Sequence, residues 1–434
     1  MTATLTPPSA APRSTSRRPR HGGRSREIVL FLAGIALLAL HVIDDNYLQP
    51  QPGTSPGDHL VSGLVPLALL GLAAWAHPRL RGGWRGALAL TFGALGIAGG
   101  IEGFYYTREV GPSGDDFTGL LSLAAGALLL ALGVAALWRT RRTDGSRWWR
   151  YPRRALLGVA GFVVAATIVV PIGLGYVTTH TGRAVVPPNH LGVAHENVTF
   201  TTADGLELEG WYVPSTNGAA VIAFPGRNGP QAKARMLARH GYGVLLFDRR
   251  GEGNSEGEPN SWGWGGEADI KAAIAYLQHR PDVDPGRIGG IGLSVGGEMM
   301  IQAAAETDQL AAIVSEGAGA RSTTEDMDQD DPALAKWTLG LAMSAAKTAA
   351  VAISSNQAPP PNLKELAAKV EQPMLLIAAP NPPTGEKLNR GYANAAGDSA
   401  TLWEIPESGH VGGQKARPEE YERRVIAFFD QALR

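Results

Sequence analysis

Five long apolar runs near the start of the chain restrict its fold more than any other feature. They cover Ile28–Ile43, Leu60–Ala76, Ala87–Ile101, Phe117–Trp138 and Ala155–Val177. Each is close to the roughly 20 residues that a helix needs to cross the hydrocarbon core, although the first and third are short. A signal peptide accounts for one such run, not for five in series with short polar loops between them. The sequence therefore predicts a five-helix transmembrane region over residues 28–177.

The arginines predict the orientation of these helices. The N-terminal tail, the loop after the second run and the loop after the fourth carry 16 arginines, whereas the two alternate loops carry only Arg108. Cytoplasmic loops of membrane proteins are enriched in basic residues, so we expect a cytoplasmic N-terminus in the cell membrane. After five spans, everything beyond Val177 then lies outside the cytoplasm. Residues 1–27, rich in Pro, Ser, Thr and Arg, are expected to be a disordered cytoplasmic tail.

Composition separates the chain into two parts. Its 434 residues suffice for two or three domains, and the formal net charge is -1. Residues 1–178 contain 17 arginines and 9 acidic residues, whereas the remainder contains 22 basic and 31 acidic residues. An acidic C-terminal part argues against nucleic acid as a partner. Cysteine is absent, which excludes disulfides and thiolate metal sites.

The second part of the chain has the pattern of an α/β domain. After a linker over 178–192, short apolar strands alternate with amphipathic helices over 193–434. The first two strands flank Asp204-Gly205, which is typical of a hairpin. Strands that alternate with helices predict a mostly parallel sheet covered on both faces.

The pentapeptide Gly292-Leu293-Ser294-Val295-Gly296 predicts a nucleophile. It follows an apolar run and precedes a helix-like stretch, which is the order of strand, sharp turn and helix in a nucleophile elbow. A serine hydroxyl is a weak nucleophile that must be presented on a tight turn within reach of a base. Glycines on either side allow the strand and the helix to approach each other.

Four motifs in order resemble the alpha/beta-hydrolase superfamily from about residue 193 to the end of the chain. They are Phe224-Pro225-Gly226-Arg227 after the third strand, the loop Asp248–Gly257, the elbow at Ser294, and Ser408-Gly409-His410 after the last strand. The resemblance implies that Ser294 attacks an acyl carbonyl and that His410 is its general base. It also implies an oxyanion hole made by the backbone N–H groups of Val295 and Arg227.

The acid of the implied triad has two candidates. The family places an aspartate shortly after the seventh strand, where this chain has Asn381 and Pro382. Glu386 is the nearest carboxylate and is favoured slightly. Glu316, directly after the strand over 310–315, is the alternative, because some relatives use an acid there.

The segment over 321–366 departs from the sheet pattern and is expected to be a lid insertion. It contains an acidic stretch with four aspartates, interpreted as a solvated surface, and a largely apolar helix over Trp337–Ile353. This helix is expected to cover the pocket or to contact the membrane surface. His41, Asp44, Asp45 and Glu102 end two of the apolar runs, and ordinary interfacial polarity is favoured there over a metal or substrate site. We expect no metal and no cofactor.

These patterns predict a membrane-anchored serine hydrolase with five spans and an alpha/beta-hydrolase domain on the outer face. The expected reaction is hydrolysis of a small-molecule or lipid ester through an acyl-enzyme. The alternatives are a serine peptidase or acyltransferase, a catalytically inactive receptor or scaffold that retains the fold, and a transporter with an attached domain. Few charged residues lie within the spans, which argues against the transporter.

Overall fold

The computed structural model describes residues 21–109, 114–141, 146–180, 192–225, 230–327, 336–381 and 386–433. Residues 1–20 of the predicted tail, 181–191 of the predicted linker and 328–335 of the predicted lid lie outside these ranges. Two parts follow one another along the chain, and they have different architectures. Within the described residues, the first part has helices joined by loops and no strand, and the second is built on one β-sheet.

Six helices form the N-terminal part. They are α1 (His21–Ile43), α2 (Leu60–Ala76), α3 (Gly82–Glu109), α4 (Gly114–Thr140), α5 (Arg147–Val164) and α6 (Val170–Thr179). A wider π-helical turn over Ala165–Val169 joins α5 to α6, so these two form one continuous rod. Five stretches are long and apolar enough to cross a membrane: Gly23–Leu48, Leu60–Arg79, Gly82–Ile101, Phe117–Thr140 and Trp148–Thr179. The predicted number of apolar helices is confirmed.

The first helix begins earlier than the sequence predicts. Residues 21–27, which were assigned to the disordered tail, form the first turns of α1. Glu27 on these turns is buried and accepts a hydrogen bond from Arg85 Nε at 3.0 Å. Arg139 Nη1 lies 3.8 Å from the same carboxylate. Because a buried carboxylate needs partners, these two arginines of other helices hold the start of α1 in place.

Small residues allow the apolar helices to pack closely. A Cβ atom at Gly126 of α4 would lie 2.7 Å from the backbone nitrogen of Ile97 and 2.9 Å from the carbonyl oxygen of Gly93, both on α3. These backbones therefore touch, as expected from the glycine and alanine content of the runs. Phe31, Ala125 and Leu129 are fully buried at the centre of the bundle.

An eight-stranded sheet organises the C-terminal part. Its order is β1-β2-β4-β3-β5-β6-β7-β8; β1 and β2 are antiparallel to each other, β2 is antiparallel to β4, and all other neighbours are parallel. The strands are β1 (Glu196–Thr201), β2 (Glu207–Val213), β3 (Ala220–Phe224), β4 (Gly243–Phe247), β5 (Ile288–Leu293), β6 (Ala312–Glu316), β7 (Met374–Ala378) and β8 (Ala400–Glu404). The predicted mostly parallel sheet and the hairpin around Asp204-Gly205 are confirmed.

Helices cover both faces of the sheet. They are α7 (Gln231–Arg239), α8 (Gly266–Gln278), α9 (Val295–Glu306), α10 (Thr323–Met327), α11 (Leu341–Ser354), α12 (Leu363–Ala367), α13 (Leu388–Ala396), α14 (Gly413–Ala416) and α15 (Pro418–Ala432). Apolar residues of α8, α9 and α12 pack on one face, and those of α7 and α15 pack on the other. The carboxyl ends of the parallel strands consequently meet along one edge, where loops from distant parts of the chain converge.

The helix predicted over Trp337–Ile353 is present within the insertion. It consists of a π-helical turn over Lys336–Gly340 that continues into α11. This helix packs against α6 of the membrane part rather than lying free. Its position therefore links the two halves of the chain.

Candidate active site

Ser294 lies on a strained turn between β5 and α9. Its backbone has φ 54° and ψ -123°, a conformation that a residue with a side chain rarely adopts. The turn is tight, because a Cβ atom at Gly292 would lie 2.2 Å from the carbonyl oxygen of Gly296. At Gly296 it would lie 2.7 Å from the carbonyl oxygen of Pro225. Only glycine fits at both positions, and strain of this kind is held where a reactive side chain must be displayed.

The structure brings Ser294, His410 and Glu386 together. His410 Nε2 lies 2.8 Å from Ser294 Oγ, and His410 Nδ1 lies 2.6 Å from Glu386 Oε1. These three residues are contributed by the loops after β5, β8 and β7, respectively. Their contacts form a continuous line of hydrogen bonds from the hydroxyl through the imidazole to the carboxylate, which is the geometry of a nucleophile, its base and an orienting acid.

Glu386 is held firmly in this line. Its side chain is 2 % exposed, and its second oxygen accepts a hydrogen bond from the backbone N–H of Ala379 at the end of β7. Gly317, which follows β6 with φ +78°, leaves room for the pair: a Cβ atom there would lie 3.1 Å from Glu386 Oε1 and 3.3 Å from His410 Cε1. The carboxylate therefore has one oxygen fixed by the backbone and the other directed at the imidazole.

Nearby carboxylates raise the pKa of His410. The largest cause is the hydrogen bond from the ring to Glu386, which stabilises the charged imidazolium. Partial burial opposes this shift, and the negative charges of Glu386, Glu298 and Glu316 add to it. The imidazole is thus a stronger base than an isolated histidine, which suits the removal of a proton from a serine hydroxyl.

Glu316, the alternative acid, is engaged elsewhere. Its Oε1 accepts the backbone N–H of Gly413 at 2.8 Å, and its Oε2 accepts the Tyr421 hydroxyl at 2.7 Å. Lys233 Nζ lies 3.4 Å from the same Oε2. Both oxygens of this buried carboxylate therefore hold α7, α14 and α15 against the end of β6. The proximity of Glu316 to the site follows from the parallel sheet, since β6 and β7 end at the same edge.

Of the two predicted oxyanion donors, the structure describes Val295 but not Arg227. Val295 is the first residue of α9, and the first N–H groups of a helix have no acceptor within it. Arg227 lies outside the described residues. The described part of its loop ends at Pro225, whose carbonyl oxygen is close to Gly296, so the loop after β3 does approach the elbow.

The loop after β4 has structural contacts. Ser255 Oγ donates a hydrogen bond to the carbonyl oxygen of Asp248 at 2.7 Å and accepts one from the N–H of Glu209 at 3.0 Å. Arg250 is buried between Asp269 and Asp204, with Nε 2.7 Å from Asp269 Oδ1. These contacts fasten the loop to the hairpin and to α8.

The polar residues at the ends of the apolar helices form hydrogen bonds with one another. Thr118 Oγ1 donates to Asp44 Oδ2 at 2.7 Å and lies 3.3 Å from His41 Nδ1. His180 Nε2 lies 3.6 Å from Asp45 Oδ2. Within the described residues, no group of His, Asp and Glu is arranged to hold a metal ion. The side chain of Glu102 lies outside the described part.

Sequence analysis did not single out Trp262, which joins the site to the membrane helices. Its indole Nε1–H donates to Thr178 Oγ1 of α6 at 2.8 Å. The next residue, Gly263, faces the elbow, since a Cβ atom there would lie 3.5 Å from Val295 Cβ. The dense run Trp262-Gly263-Trp264-Gly265-Gly266 was the available signal, because tryptophan and glycine seldom alternate in an ordinary loop.

The sheet and the strand–turn–helix at Ser294 define an alpha/beta hydrolase of the serine hydrolase class. The profile of the X-Pro dipeptidyl-peptidase (S15) family matches residues 182–401, about half of the chain. The chain belongs to this family.

Individual relatives match over shorter stretches. The YfhR protein of Salmonella typhi is 36 % identical over 118 residues, which cover 25 % of this chain and 40 % of that protein. The thiohydrolase aneE of Aspergillus aculeatus is 33 % identical over 134 residues, 28 % of this chain and 41 % of that protein. The chain thus spans less than half the length of these curated relatives.

One solved structure, an esterase of Pyrococcus furiosus, is similar to the C-terminal part. Its TM-score is 0.48 at 22 % sequence identity, and the match covers 58 % of this chain and 97 % of the esterase.

Proposed function

We propose that this protein is a membrane-anchored serine hydrolase that cleaves carboxylic esters through Ser294, His410 and Glu386. The observation that carries the proposal is the unbroken line of hydrogen bonds at 2.8 and 2.6 Å between these three side chains, with the serine on a strained elbow. A buried carboxylate that contacts one imidazole nitrogen leaves the other nitrogen free to accept the serine proton.

Acylation follows from this arrangement. Ser294 Oγ attacks the ester carbonyl carbon while His410 Nε2 takes its proton. Glu386 accepts the hydrogen bond from Nδ1–H and stabilises the imidazolium that forms. His410 then gives the proton to the leaving alcohol as the carbon–oxygen bond breaks, which leaves an acyl-serine. In the second half, His410 removes a proton from water as the water oxygen attacks the acyl carbon. His410 then returns a proton to Ser294 Oγ as the bond to the acyl group breaks and the acid is released.

The tetrahedral intermediates place a negative charge on the former carbonyl oxygen. The N–H of Val295 at the start of α9 is the first donor proposed for it, and the N–H of Arg227 is the second. Losing one such donor costs about 2.7–4 kcal/mol of transition-state stabilisation.

The position of the site supports an amphiphilic ester as substrate. Trp262 contacts Thr178 at the outer end of the last membrane helix, and its neighbour Gly263 faces Val295 beside the nucleophile. An ester whose acyl chain remains in the outer leaflet would have its carbonyl near this level. The predicted orientation, with the N-terminus cytoplasmic and residues 193–434 outside, would give the enzyme access to lipids or acyl groups of the cell envelope.

A membrane-impermeant fluorophosphonate tests the nucleophile and the orientation together. We expect the probe to label the protein on intact cells and the Ser294→Ala variant to lose the label completely. Ser55→Ala is the matched control, because this serine is exposed in the loop before α2 and its hydroxyl bonds only to Asp58 in the structure. Labelling of Ser294→Ala would reject the nucleophile. Labelling that needs permeabilised cells would reject the outer location.

Peptide hydrolysis is the second candidate, favoured by the description of the family as X-Pro dipeptidyl-peptidases. The same triad attacks an amide if the leaving amine is protonated. The two functions are separated by comparing kcat/KM for an X-Pro p-nitroanilide with kcat/KM for p-nitrophenyl esters of increasing chain length. An inactive scaffold would fail in both assays and would not react with the fluorophosphonate.

A further inference from the structure

The lid helix, defined as residues 337–354, has an unusual distribution of polarity. Lys347 is its single charged residue. The outward surface includes Trp337, Leu339, Leu341 and Met343, which are 57, 45, 39 and 41 % exposed. Ala345 and Ala349 are exposed as well. A helix on the surface of a water-soluble domain turns polar residues outward, so this helix has the opposite pattern.

The polar side chains of the lid helix face the hydrolase domain instead. Ser344 Oγ donates a hydrogen bond to Asp326, and Lys347 Nζ lies 3.2 Å from the same carboxylate. Thr348 Oγ1 accepts a hydrogen bond from Thr323 Oγ1 at 2.9 Å. Since α10 satisfies these groups, Ser344, Lys347 and Thr348 require no water on the outward face.

A membrane helix supports the lid helix along its length. A Cβ atom at Gly175 of α6 would lie 2.6 Å from Ala350 Cβ and 3.1 Å from the carbonyl oxygen of Lys347. This contact between small residues resembles the packing of helices within a bilayer. The lid helix also touches α2 and the π turn over Ala165–Val169, which lies within the apolar stretch Trp148–Thr179.

These contacts set the depth of the lid helix. At its C-terminal end, Asn356 Nδ2 donates to the carbonyl oxygen of Asp58, just before the start of α2. Ala350 lies opposite Gly175 of α6. The lid helix also contacts the π turn over Ala165–Val169, which directly precedes α6. The 14 residues of α11 span roughly 21 Å at 1.5 Å per residue. The lid helix therefore lies alongside the C-terminal part of the apolar stretch Trp148–Thr179.

We propose that the lid helix is inserted in the outer leaflet, with Leu339, Leu341 and Met343 in contact with lipid acyl chains. The inference rests on the membrane location in the proposed function. The partner of the lid helix is the hydrocarbon of the bilayer, because its exposed apolar face continues the exposed apolar surface of α6. On that surface Val170 and Leu174 are 53 and 55 % exposed.

The insertion brings a hydrocarbon-facing helix close to the active site. Lys347 Nζ lies 4.5 Å from the centre of the Trp262 ring, and Trp262 precedes the glycine that faces Val295. The lid helix is thus two contacts away from the nucleophile. An ester lipid that moves along this helix would reach Ser294 without leaving the bilayer, which extends the proposed function to a substrate taken from the membrane phase.

Site-directed spin labelling of the full chain in lipid vesicles tests the insertion. The natural chain has no cysteine, so Leu341→Cys and Met343→Cys each carry a single label. Leu69→Cys on the exposed face of α2 is the control for lipid, and Gln309→Cys on the exposed surface of the hydrolase domain is the control for water. We expect labels at 341 and 343 to collide several-fold more often with oxygen than with a water-soluble nickel chelate, as at 69.

The outcomes separate this inference from the function on which it rests. Water-like accessibility at 341 and 343, with lipid-like accessibility at 69, would overturn the insertion and leave the membrane anchor intact. Water-like accessibility at all four positions would overturn both. None of these readings depends on catalysis, so reaction of Ser294 with a fluorophosphonate remains an independent test of the hydrolase.

A functional test uses Leu341→Asp with Gln309→Asp as the matched control. A charge in the bilayer is costly, so the first variant should displace the lid helix from lipid. We expect several-fold slower hydrolysis of long-chain esters presented in vesicles and unchanged hydrolysis of a short, water-soluble ester. Unchanged long-chain hydrolysis would contradict the insertion, and loss of fluorophosphonate labelling would identify misfolding rather than a local effect.

Discussion

Replacing Glu386 by glutamine should impair the enzyme as severely as replacing it by alanine, although glutamine has the same shape as glutamate. One oxygen of Glu386 accepts the N–H of Ala379 and the other faces His410 Nδ1 at 2.6 Å. In Glu386→Gln the single amide oxygen must remain at the Ala379 N–H, so the amide NH2 turns to His410. The imidazole then has to accept at Nδ1, and its proton moves to Nε2, which faces Ser294 Oγ. This tautomer cannot take the serine proton.

The magnitudes follow from the role that each variant removes. Glu386→Ala removes the carboxylate that orients the imidazole and stabilises the imidazolium, and loss of the acid alone from a Ser-His-Asp triad costs about 3 × 10⁴-fold in kcat. Glu386→Gln keeps the shape and imposes the wrong tautomer. The corresponding Asp→Asn change in a Ser-His-Asp triad lowers kcat by about ten-thousandfold. We therefore expect both variants to lose about four orders of magnitude in kcat, for these two different reasons.

The measurement is single-turnover acylation by a p-nitrophenyl ester, with the purified full chain in lipid nanodiscs. Glu316→Gln is the matched exchange at the neighbouring buried carboxylate, whose oxygens contact Gly413 and Tyr421 instead of the imidazole. Glu316→Gln should lower thermal stability, since it removes a structural ion pair. Its acylation rate should stay within about tenfold of the wild-type rate. A Glu386→Gln variant that acylates about as fast as the wild type, or a Glu316→Gln variant slower than both Glu386 variants, would refute the assignment of the acid.

Two further predictions concern the surroundings of His410. The Glu386 hydrogen bond raises the pKa of His410, and the base must be neutral to act, so kcat/KM should fall with decreasing pH at a midpoint above that of an ordinary histidine. In Glu386→Ala this midpoint should move to lower pH. A midpoint that does not move would contradict Glu386 as the cause of the raised pKa. Gly317→Ala introduces a Cβ atom 2.9 Å from Val411 Cγ1 at a φ of +78°. It should lower the free energy of unfolding, measured by chemical denaturation, by about 1–3 kcal/mol and should slow acylation. A wild-type free energy of unfolding and a wild-type acylation rate would show that the loop adjusts freely.

Much of the fold was predictable because its signals are local. Apolar runs of sufficient length identified the five long apolar helices, and alternating strands and helices identified the parallel sheet. The elbow at Ser294 was recognisable because its glycines are required by contacts within a few residues of the serine, such as the 2.2 Å approach at Gly292. Position along the chain placed His410 after the last strand, where the structure has it.

The start of α1 was predicted wrongly for a reason that lies outside the local sequence. Its first turns are polar and arginine-rich, which is typical of a tail. They are helical because Arg85 and Arg139, from two other helices, hold Glu27. The choice between Glu386 and Glu316 was open for a related reason. Both carboxylates follow parallel strands that end at one edge, and only the positions of Tyr421, Gly413 and Ala379 decide which one faces the imidazole.

The sequence alone determined that the chain has a part made of five long apolar helices and a hydrolase domain with a serine on a tight turn, because hydrophobic length, strand–helix alternation and glycine spacing act over a few residues. Tertiary structure decided which carboxylate completes the line of hydrogen bonds, and it placed the lid helix along α6 with its apolar face outward. Those outcomes depend on side chains separated by scores or hundreds of residues, such as Gly175 and Ala350, and no local pattern encodes contacts of that range.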